Sequence, residues 1–300
     1  MDPLADGALD RRRHELSGSW TDTEVSVRLS RGAGGATRVE GVLCSAPVWT
    51  RWDGDTLWLI GSGASPVGED HIRVRVDVGP GVAASVRSVA ATMVYAARGV
   101  GTRWDTEIHV ADDAHLDWRP EPVILTGRSR HRATTRIHAG TGSTVTLDEV
   151  VVLGRVDEPT GALCSTLDVR VADTPVLLTS LDTTLPGWSG PAGTAGASVV
   201  ANRLHSSPDG PRTGQVEVGG ATLLEPAPTC RVAVAAAHDV PAARHAVETL
   251  LPSPGTRPAV HEEETNEQFD RNRTPLASCT PGGLPPDSDD HVDRRGEEVH

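Results

Sequence analysis

Carboxylates stand at the ends of predicted strands and in predicted turns along the first half of the chain. Two carboxylates that flank a sugar linkage can act as general acid and as base or nucleophile, which is the chemistry of glycosidases. The sequence places no two of them at the separation that such a pair needs, so an all-β carbohydrate-active enzyme is an alternative function. The carboxylates in these positions are Glu69, Asp70, Asp112, Asp113, Asp117, Glu121, Asp148 and Glu149.

Histidines are the second group of residues that could do chemistry. The chain has 12 of them, and they are scattered over predicted strands and turns. His109 and His115 flank the segment VADDA, which predicts a hairpin turn, so the two rings could meet across two strands with Asp112 or Asp113 nearby. Imidazole is a good ligand for Ni and Zn, so a weak transition-metal site is one interpretation and ordinary surface histidines are the other.

Several reaction classes are excluded or disfavoured by residue type. The chain contains no lysine, which excludes a Schiff-base lysine and the lysine of a phosphate-binding loop. Gly61 and Gly63 follow a predicted strand, but Pro66 stands where a dinucleotide-binding motif has its third glycine, and no helix follows. Ser189 lies in a predicted loop rather than at the strand-to-helix elbow of a serine hydrolase.

Composition narrows the class of protein. The 300 residues carry a formal net charge of -13, which disfavours non-specific binding to nucleic acid. No apolar run approaches the length of a membrane span, and no signal peptide is recognisable at the N-terminus. The four cysteines are far apart and match neither a zinc motif nor a disulfide framework. We therefore expect a cytoplasmic protein with no membrane or nucleic-acid partner.

The apolar residues repeat with a period of two, which indicates β-strands. The segment His71–Val78 (HIRVRVDV) alternates valine or isoleucine with charged residues, and many other short segments separated by Gly, Asp and Pro clusters do the same. The best helix signal follows Asp239, a suitable N-cap, with Pro241 in the first turn and Pro252 as the stop. The pattern predicts a mainly β protein.

The chain divides into three parts by composition. Residues 1–20 are predicted to be a flexible N-terminus, and residues 21–252 a single β domain. Residues 253–300 are charged, rich in proline and nearly free of large apolar residues, so we expect a disordered acidic tail that buries too little surface to fold.

One predicted strand, His115–Gly127 (HLDWRPEPVILTG), contains an acid between two prolines. Proline donates no hydrogen bond to a β-ladder, so Pro120 and Pro122 break the strand around Glu121. One interpretation is an edge strand that uses proline to avoid pairing with another sheet. The other is that the break directs Glu121 towards a polar interior path or a partner surface.

Four segments in this order and spacing carry a resemblance to a known family. They are Gly63–Gly81 (GASPVGEDHIRVRVDVGPG), Ser88–Gly99 (SVAATMVYAARG), Leu116–His138 (LDWRPEPVILTGRSRHRATTRIH) and Leu147–Arg155 (LDEVVVLGR). Together they resemble the UreD/UreH urease accessory proteins. The resemblance covers about Gly61 to Asp182, with a weaker continuation to the helix near Leu250.

The resemblance implies stacked, helical-like β-sheets with a few α-helices. It implies a urease maturation chaperone rather than an enzyme, with apo-urease, UreF and the GTPase UreG as partners. It also implies no tightly bound cofactor, because nickel would be in transit through an internal channel into the urease active site. A non-catalytic β binding module without a metal role is a further alternative.

Most candidate site residues come from the matching segments, and His109 and His115 come from the predicted turn between them. Candidates for a nickel path or for partner contact are Glu69, Asp70, Tyr95, Trp118, Glu121, Asp148, Glu149 and Arg155. Candidates for weak metal contact in transit are Asp70, Glu121, His109 and His115.

Overall fold

The computed structural model describes residues 21–96, 99–208, 217–218 and 220–252. They lie in the first of two units, Met1–Thr256; the second, Arg257–His300, lies outside the described residues, as do the predicted flexible N-terminus and the predicted tail. The described chain forms β1 (Asp22–Arg31), β2 (Thr37–Leu43), β3 (Val48–Trp52), β4 (Thr56–Gly61), β5 (His71–Val78), β6 (Ala83–Ser88), β7 (Thr92–Val94), β8 (Thr102–Val110), β9 (His115–Trp118), β10 (Val123–Leu125), β11 (Arg130–Ala139), β12 (Thr144–Val152), β13 (Ala162–Val171), β14 (Thr174–Asp182), β15 (Val199–Ser206), β16 (Glu217–Val218), β17 (Ala221–Ala227), β18 (Cys230–Ala237) and α1 (Val240–Leu250).

The strands form two sheets that the chain visits in turn. The first sheet has the order β14-β13-β11-β8-β5-β1-β2, and the second has the order β16-β17-β18-β15-β12-β9-β6-β4-β3, with β10 beside β12 and β7 beside β10. From β4 to β13 the chain alternates between the sheets, and successive strands within each sheet run parallel. The result is a solenoid-like stack of β-coils, which confirms the predicted mainly β, helical-like fold.

The core lies between the sheets and is built from stacked columns of inward-facing side chains. In the first sheet, parallel register places Val27, Val76, Ile108, Ile137 and Val169 side by side, each fully buried. In the second sheet, register aligns Leu57, Val86, Trp118, Leu147, Leu204 and Val232. Because one face of each strand is buried in this way, the period-two pattern strongly specifies the register.

Helix α1 covers the outer face of the second sheet, over the C-terminal strands of that sheet. Asp239 is the N-cap, and its side chain accepts a hydrogen bond of 2.7 Å from the backbone N–H of Ala242, as the sequence predicts. Ala243 and Val247 are buried against the sheet, in a second apolar cluster. No helix in the part of the chain that the structure describes is long and apolar enough to cross a membrane.

The edge-strand interpretation of the proline-flanked segment is wrong. The break at Arg119–Pro122 separates β9 from β10, but β9 pairs with β6 on one side and β12 on the other. β10 likewise lies between β7 and β12. The prolines therefore interrupt the interior of the sheet, where a missing N–H donor opens a gap rather than protecting an edge.

The hairpin interpretation of the segment between His109 and His115 is also wrong. β8 belongs to the first sheet and β9 to the second, so the turn carries the chain from one sheet to the other. Asp112 accepts a hydrogen bond of 2.7 Å from the backbone N–H of Thr141, and Asp113 has a positive φ of 56°, so both acids shape the crossing. The two histidines consequently do not pair across two strands.

Replacing Ile137 by alanine removes a fully buried side chain from the middle of a core column. We expect the free energy of unfolding to fall by roughly 2–5 kcal/mol, because transfer energy is lost and a cavity remains. Urea denaturation of both proteins measures the change. The matched control is Arg136→Ala on the exposed side of the same strand, which should change the free energy by about 0.5 kcal/mol or less. Equal effects at the two positions would contradict this assignment of the core.

Candidate interior conduit

A cavity of about 540 Å³ lies between the two sheets. We call it the interior cavity. From the first sheet it is lined by residues of four adjacent strands, β8, β11, β13 and β14, which span roughly 14 Å across the stack at the usual strand spacing. The residues that line the cavity include Gly61, Ala90, Tyr95, Trp104, Thr106, Trp118, Glu121, His131, Ala133, Thr135, Glu149, Ser165, Thr179, Ser180 and Asn202.

The cavity exists because inward-facing residues become small or polar along the strands. On β11 the inward column changes from Ile137 to Thr135 and Ala133, and β13 places Ser165 beside Ala133. On the second sheet Glu149 continues the inward positions of β12 where the core has leucine. These side chains do not fill the space that aliphatic residues fill further along the coils, so a cavity remains whose mainly apolar wall carries a few polar groups.

The cavity also follows the interruption of the second sheet. β9 pairs with Thr144–Leu147 of β12, and β10 pairs with Val151 and Val152. Among the described strands, residues 148–150 of β12 are therefore unpaired on this side. Glu149, Glu121 and neighbouring residues line the cavity at this gap. The prolines thus leave space beside a carboxylate in the middle of a sheet.

Exposed residues line the cavity on both sheets. Gly61 and Ala90, near the ends of β4 and β6, line it and are exposed. Thr179 and Ser180 on β14 also line it and are exposed.

His131 supplies the imidazole of the interior cavity. It is 6% exposed, and its Nδ1 lies 2.8 Å from the hydroxyl of Thr102. The Thr102 hydroxyl also donates to the Arg130 carbonyl at 3.3 Å, so Nδ1–H donates to Thr102 and Nε2 keeps its lone pair. Burial lowers the pKa of His131 to about 4, so the ring is neutral at physiological pH and can act as a metal ligand.

Glu149 supplies the carboxylate of the cavity. The hydroxyl of Thr135, on the facing sheet, donates a hydrogen bond of 2.7 Å to Oε1 of Glu149. Burial raises the pKa of Glu149, and this hydrogen bond opposes the rise only in part. A cation that entered the cavity would favour the ionised carboxylate, because an opposite charge nearby lowers a carboxyl pKa.

Three other predicted residues border the same cavity. Trp118 is buried in the core and forms part of the wall, and Tyr95 is 36% exposed at the rim. Glu121 is half-buried, and its Oε2 accepts a hydrogen bond of 3.1 Å from Arg244 of α1. Its backbone N–H donates to the hydroxyl of Ser88 at 2.8 Å, which anchors the break. The structure therefore brings Tyr95, Trp118, Glu121 and Glu149 to one cavity.

Asp70 does not line the interior cavity. It is 2% exposed and accepts three hydrogen bonds: from the backbone N–H of Thr21 at 2.9 Å, from the hydroxyl of Ser65 at 2.8 Å and from the backbone N–H of Val67 at 3.0 Å. These bonds tie the loop before β5 to the start of β1. Asp70 therefore has a structural role in this loop.

Asp148 points to the opposite side of the second sheet from Glu149. It forms a buried, two-pronged ion pair with Arg203, whose Nε and Nη2 donate at 2.7 and 2.6 Å. Arg203 also donates to the carbonyl of Leu251 at 3.3 Å and forms an ion pair with Glu248. Positive charge is favourable at the C-terminal end of a helix, so this cluster fixes α1 to the sheet.

The remaining predicted residues lie at the surface. Glu69 is exposed in the loop before β5, and Arg155 is exposed and paired with Glu158. His115 is exposed at the start of β9, while His109 faces outward on β8. Sequence reasoning did not select His131, although its place between Arg130 and Arg132 in an alternating strand, where the charged residues face outward, was a usable signal.

Comparison with known proteins identifies the family. A family model described as UreD urease accessory protein matches residues 22–270. The chain belongs to this family. Proteins named urease accessory protein UreD are similar to it, from Streptomyces coelicolor (31% identity over 236 residues, 76% of this chain and 86% of the relative) and Frankia alni (30% over 226 residues, 61% and 76%). The resemblance seen in the four sequence segments is therefore confirmed.

Membership of the UreD family favours one of the functions that the sequence leaves open. It supports a role in urease maturation, and the names of the relatives favour an accessory role over a carbohydrate-active enzyme. Of the three carboxylates considered most closely, Glu121 and Glu149 both line the interior cavity, whereas Asp70 is held in a loop.

The burial of His131 predicts a loss of stability in acid. The unfolded chain binds a proton near the ordinary pKa of 6.5, whereas the folded protein does so only near 4. The stabilisation is present above about pH 6.5 and is lost as the pH falls towards 4, by at most roughly 3 kcal/mol. Urea denaturation at several pH values should show a flatter profile for His131→Gln than for the parent. His115→Gln is the exposed control and should leave the profile unchanged; the prediction fails if both variants behave alike.

The burial of Glu149 predicts the opposite sign for its own variant. Because the folded-state pKa is raised, ionisation of Glu149 destabilises the fold above the ordinary carboxyl pKa. Glu149→Gln can keep the hydrogen bond from Thr135 without a charge, so we expect a higher thermal midpoint at pH 7.5. The difference should shrink as the pH falls and Glu149 protonates. A lower midpoint for Glu149→Gln at pH 7.5 would contradict this account.

Proposed function

We propose that this UreD family member is a urease maturation chaperone that passes Ni²⁺ through the interior cavity into apo-urease. In this proposal it works in the cytoplasm in a complex with apo-urease, the accessory protein UreF and the GTPase UreG. Nickel is the cargo and not a resident cofactor. The observation that carries the proposal is a cavity between the sheets that is lined by the Glu149 carboxylate and the His131 imidazole.

The chemistry of the cavity suits a passing borderline cation. Glu149 offers a carboxylate and His131 a neutral imidazole, and both ligand types bind Ni²⁺. His131 and Thr135 lie on the same face of β11, four residues apart, which corresponds to roughly 13 Å along a strand. Ligands this far apart contact an ion in succession rather than at the same time. Each contact is then weak enough to release the ion onward.

The ends of the cavity are where partners would dock. Tyr95 lies at one rim, and Glu69 and Arg155 are exposed elsewhere on the surface, so all three are available for contact with a protein. Glu121 stands at the break in the second sheet and is held by Arg244. We propose that it helps to shape a rim rather than to hold nickel alone.

Two variants test passage through the cavity directly. Ala133→Leu places a larger side chain in the lining, and Glu149→Gln removes the charge beside Thr135. Co-expressed with the urease subunits, UreF and UreG, each should lower urease activity and bound nickel per urease by about tenfold or more, as expected for loss of a positioned metal-contacting group. Urea hydrolysis and elemental analysis of purified urease measure the two quantities.

Matched controls separate passage from folding and docking. Thr134→Leu enlarges the neighbouring outward-facing residue of β11, and Glu225→Gln neutralises an exposed glutamate of β17. Both should activate urease like the parent, and all variants should co-purify with UreF. If Ala133→Leu and Glu149→Gln activate urease normally, nickel does not use this cavity. If urease matures equally well without the chain, the non-catalytic binding module becomes the better description.

A further inference from the structure

The outer face of the first sheet carries a cluster of two histidines and a glutamate away from the interior cavity. Parallel register pairs His109 of β8 with His138 of β11, and their rings stack with centroids 4.7 Å apart and planes within 8°. Glu107 lies two residues before His109 on the same face, and its Oε1 is 2.8 Å from Nε2 of His109. One ligand atom from each of the three residues falls within 4.8 Å of the others.

The β-stack is what holds these ligands together. His109 and His138 are 29 residues apart in sequence, but adjacent coils place them side by side at a strand spacing of roughly 4.8 Å. Their side chains are partly exposed, so the rings can turn without disturbing the core. A transition metal needs nitrogen ligands about 2.0–2.1 Å from the ion, which a small rotation of each ring provides.

The electrostatic surroundings favour a cation. The histidines line an open surface depression whose charged residues are four carboxylates and one arginine: Glu40, Asp77, Asp112, Asp173 and Arg28. A depression lined mainly by one sign of charge concentrates ions of the other sign.

Arginines on the same outer face oppose metal binding, among them Arg136 of β11 and Arg170 of β13. Arg75 on β5 pairs with Asp77 at 3.0 Å and approaches Glu107 at 3.6 Å. Its positive charge competes with an ion for the same carboxylate. Removal of Arg75 should therefore strengthen metal binding. Because misfolding would weaken metal binding and not strengthen it, this variant tests the site independently of folding.

We propose that Glu107, His109 and His138 form a surface site for a borderline divalent transition metal, Ni²⁺ or Zn²⁺. The metal binds to two imidazole nitrogens and one carboxylate oxygen, and water completes its coordination. The site lies on the outer face of the sheet whose inner face lines the interior cavity. It depends neither on passage through the cavity nor on partner proteins.

Titration of the purified full-length chain with NiCl₂, and separately with ZnCl₂, tests the site. Calorimetry and equilibrium dialysis of the untagged protein give the number of ions bound and their dissociation constants. His109→Ala and His138→Ala should each remove one bound ion or weaken its binding by at least about tenfold. Arg75→Ala should tighten the same binding event by up to about fivefold, the range expected of an exposed ion pair. Comparison of the two titrations shows which metal the site prefers.

The controls are an exposed histidine outside the cluster and the cavity variant. His115→Ala should bind metal like the parent, and Glu149→Gln should keep the binding event that His109→Ala loses. Circular dichroism checks that each variant is folded. Unchanged stoichiometry and affinity in both His109→Ala and His138→Ala would overturn the proposal, as would equal losses in His115→Ala. Because binding is measured without urease, the result is independent of any outcome for nickel passage.

Discussion

In each coil of the solenoid, side chains from the two sheets meet across a layer that is roughly 10 Å thick. Where Ile108 and Ile137 face leucines of the second sheet, the layer is filled and dry. Where Ala133 and Ser165 replace them, the layer is too wide for its side chains and the interior cavity opens. An open cavity costs stability relative to a filled core, and such a departure from good packing is typical of functional sites.

Two polar groups of the cavity, His131 and Glu149, have hydrogen-bond partners along or across the sheets. Thr102 holds His131, and Thr135 on one sheet holds Glu149 on the other. Burial lowers the pKa of the histidine and raises that of the glutamate, so both favour their neutral forms. A site of this kind binds a cation weakly and at the expense of a proton. Weak binding suits a metal ion in transit better than a permanent metal centre.

Buried carboxylates in this protein divide according to their hydrogen-bond partners. Asp70 accepts three bonds from one loop and the start of β1, and Asp148 is paired with Arg203 beneath α1. Loss of either would leave buried donors or a buried charge without a partner, which is costly. Among the described residues, Glu149 accepts its hydrogen bond from the Thr135 hydroxyl, and the remaining lone pairs of the carboxylate are available to a visiting ion. The cluster of Glu107, His109 and His138 differs from these buried carboxylates, because its side chains are partly exposed and its histidines line an acidic depression.

Local patterns were enough to predict the strands, the capped helix and the interruption at Glu121, because each depends on residues that are close together in the chain. Alternation is read within eight residues, and the cap at Asp239 within four. The family followed from the order of four such short segments. Which residues meet could be learned from the folded chain alone: His138 rather than His115 beside His109, Thr135 opposite Glu149, and Arg203 beside Asp148. Those pairs depend on the order of strands in each sheet and on the register between coils. Contacts of that range arise from the simultaneous burial of two sheet faces, which no short segment of sequence encodes.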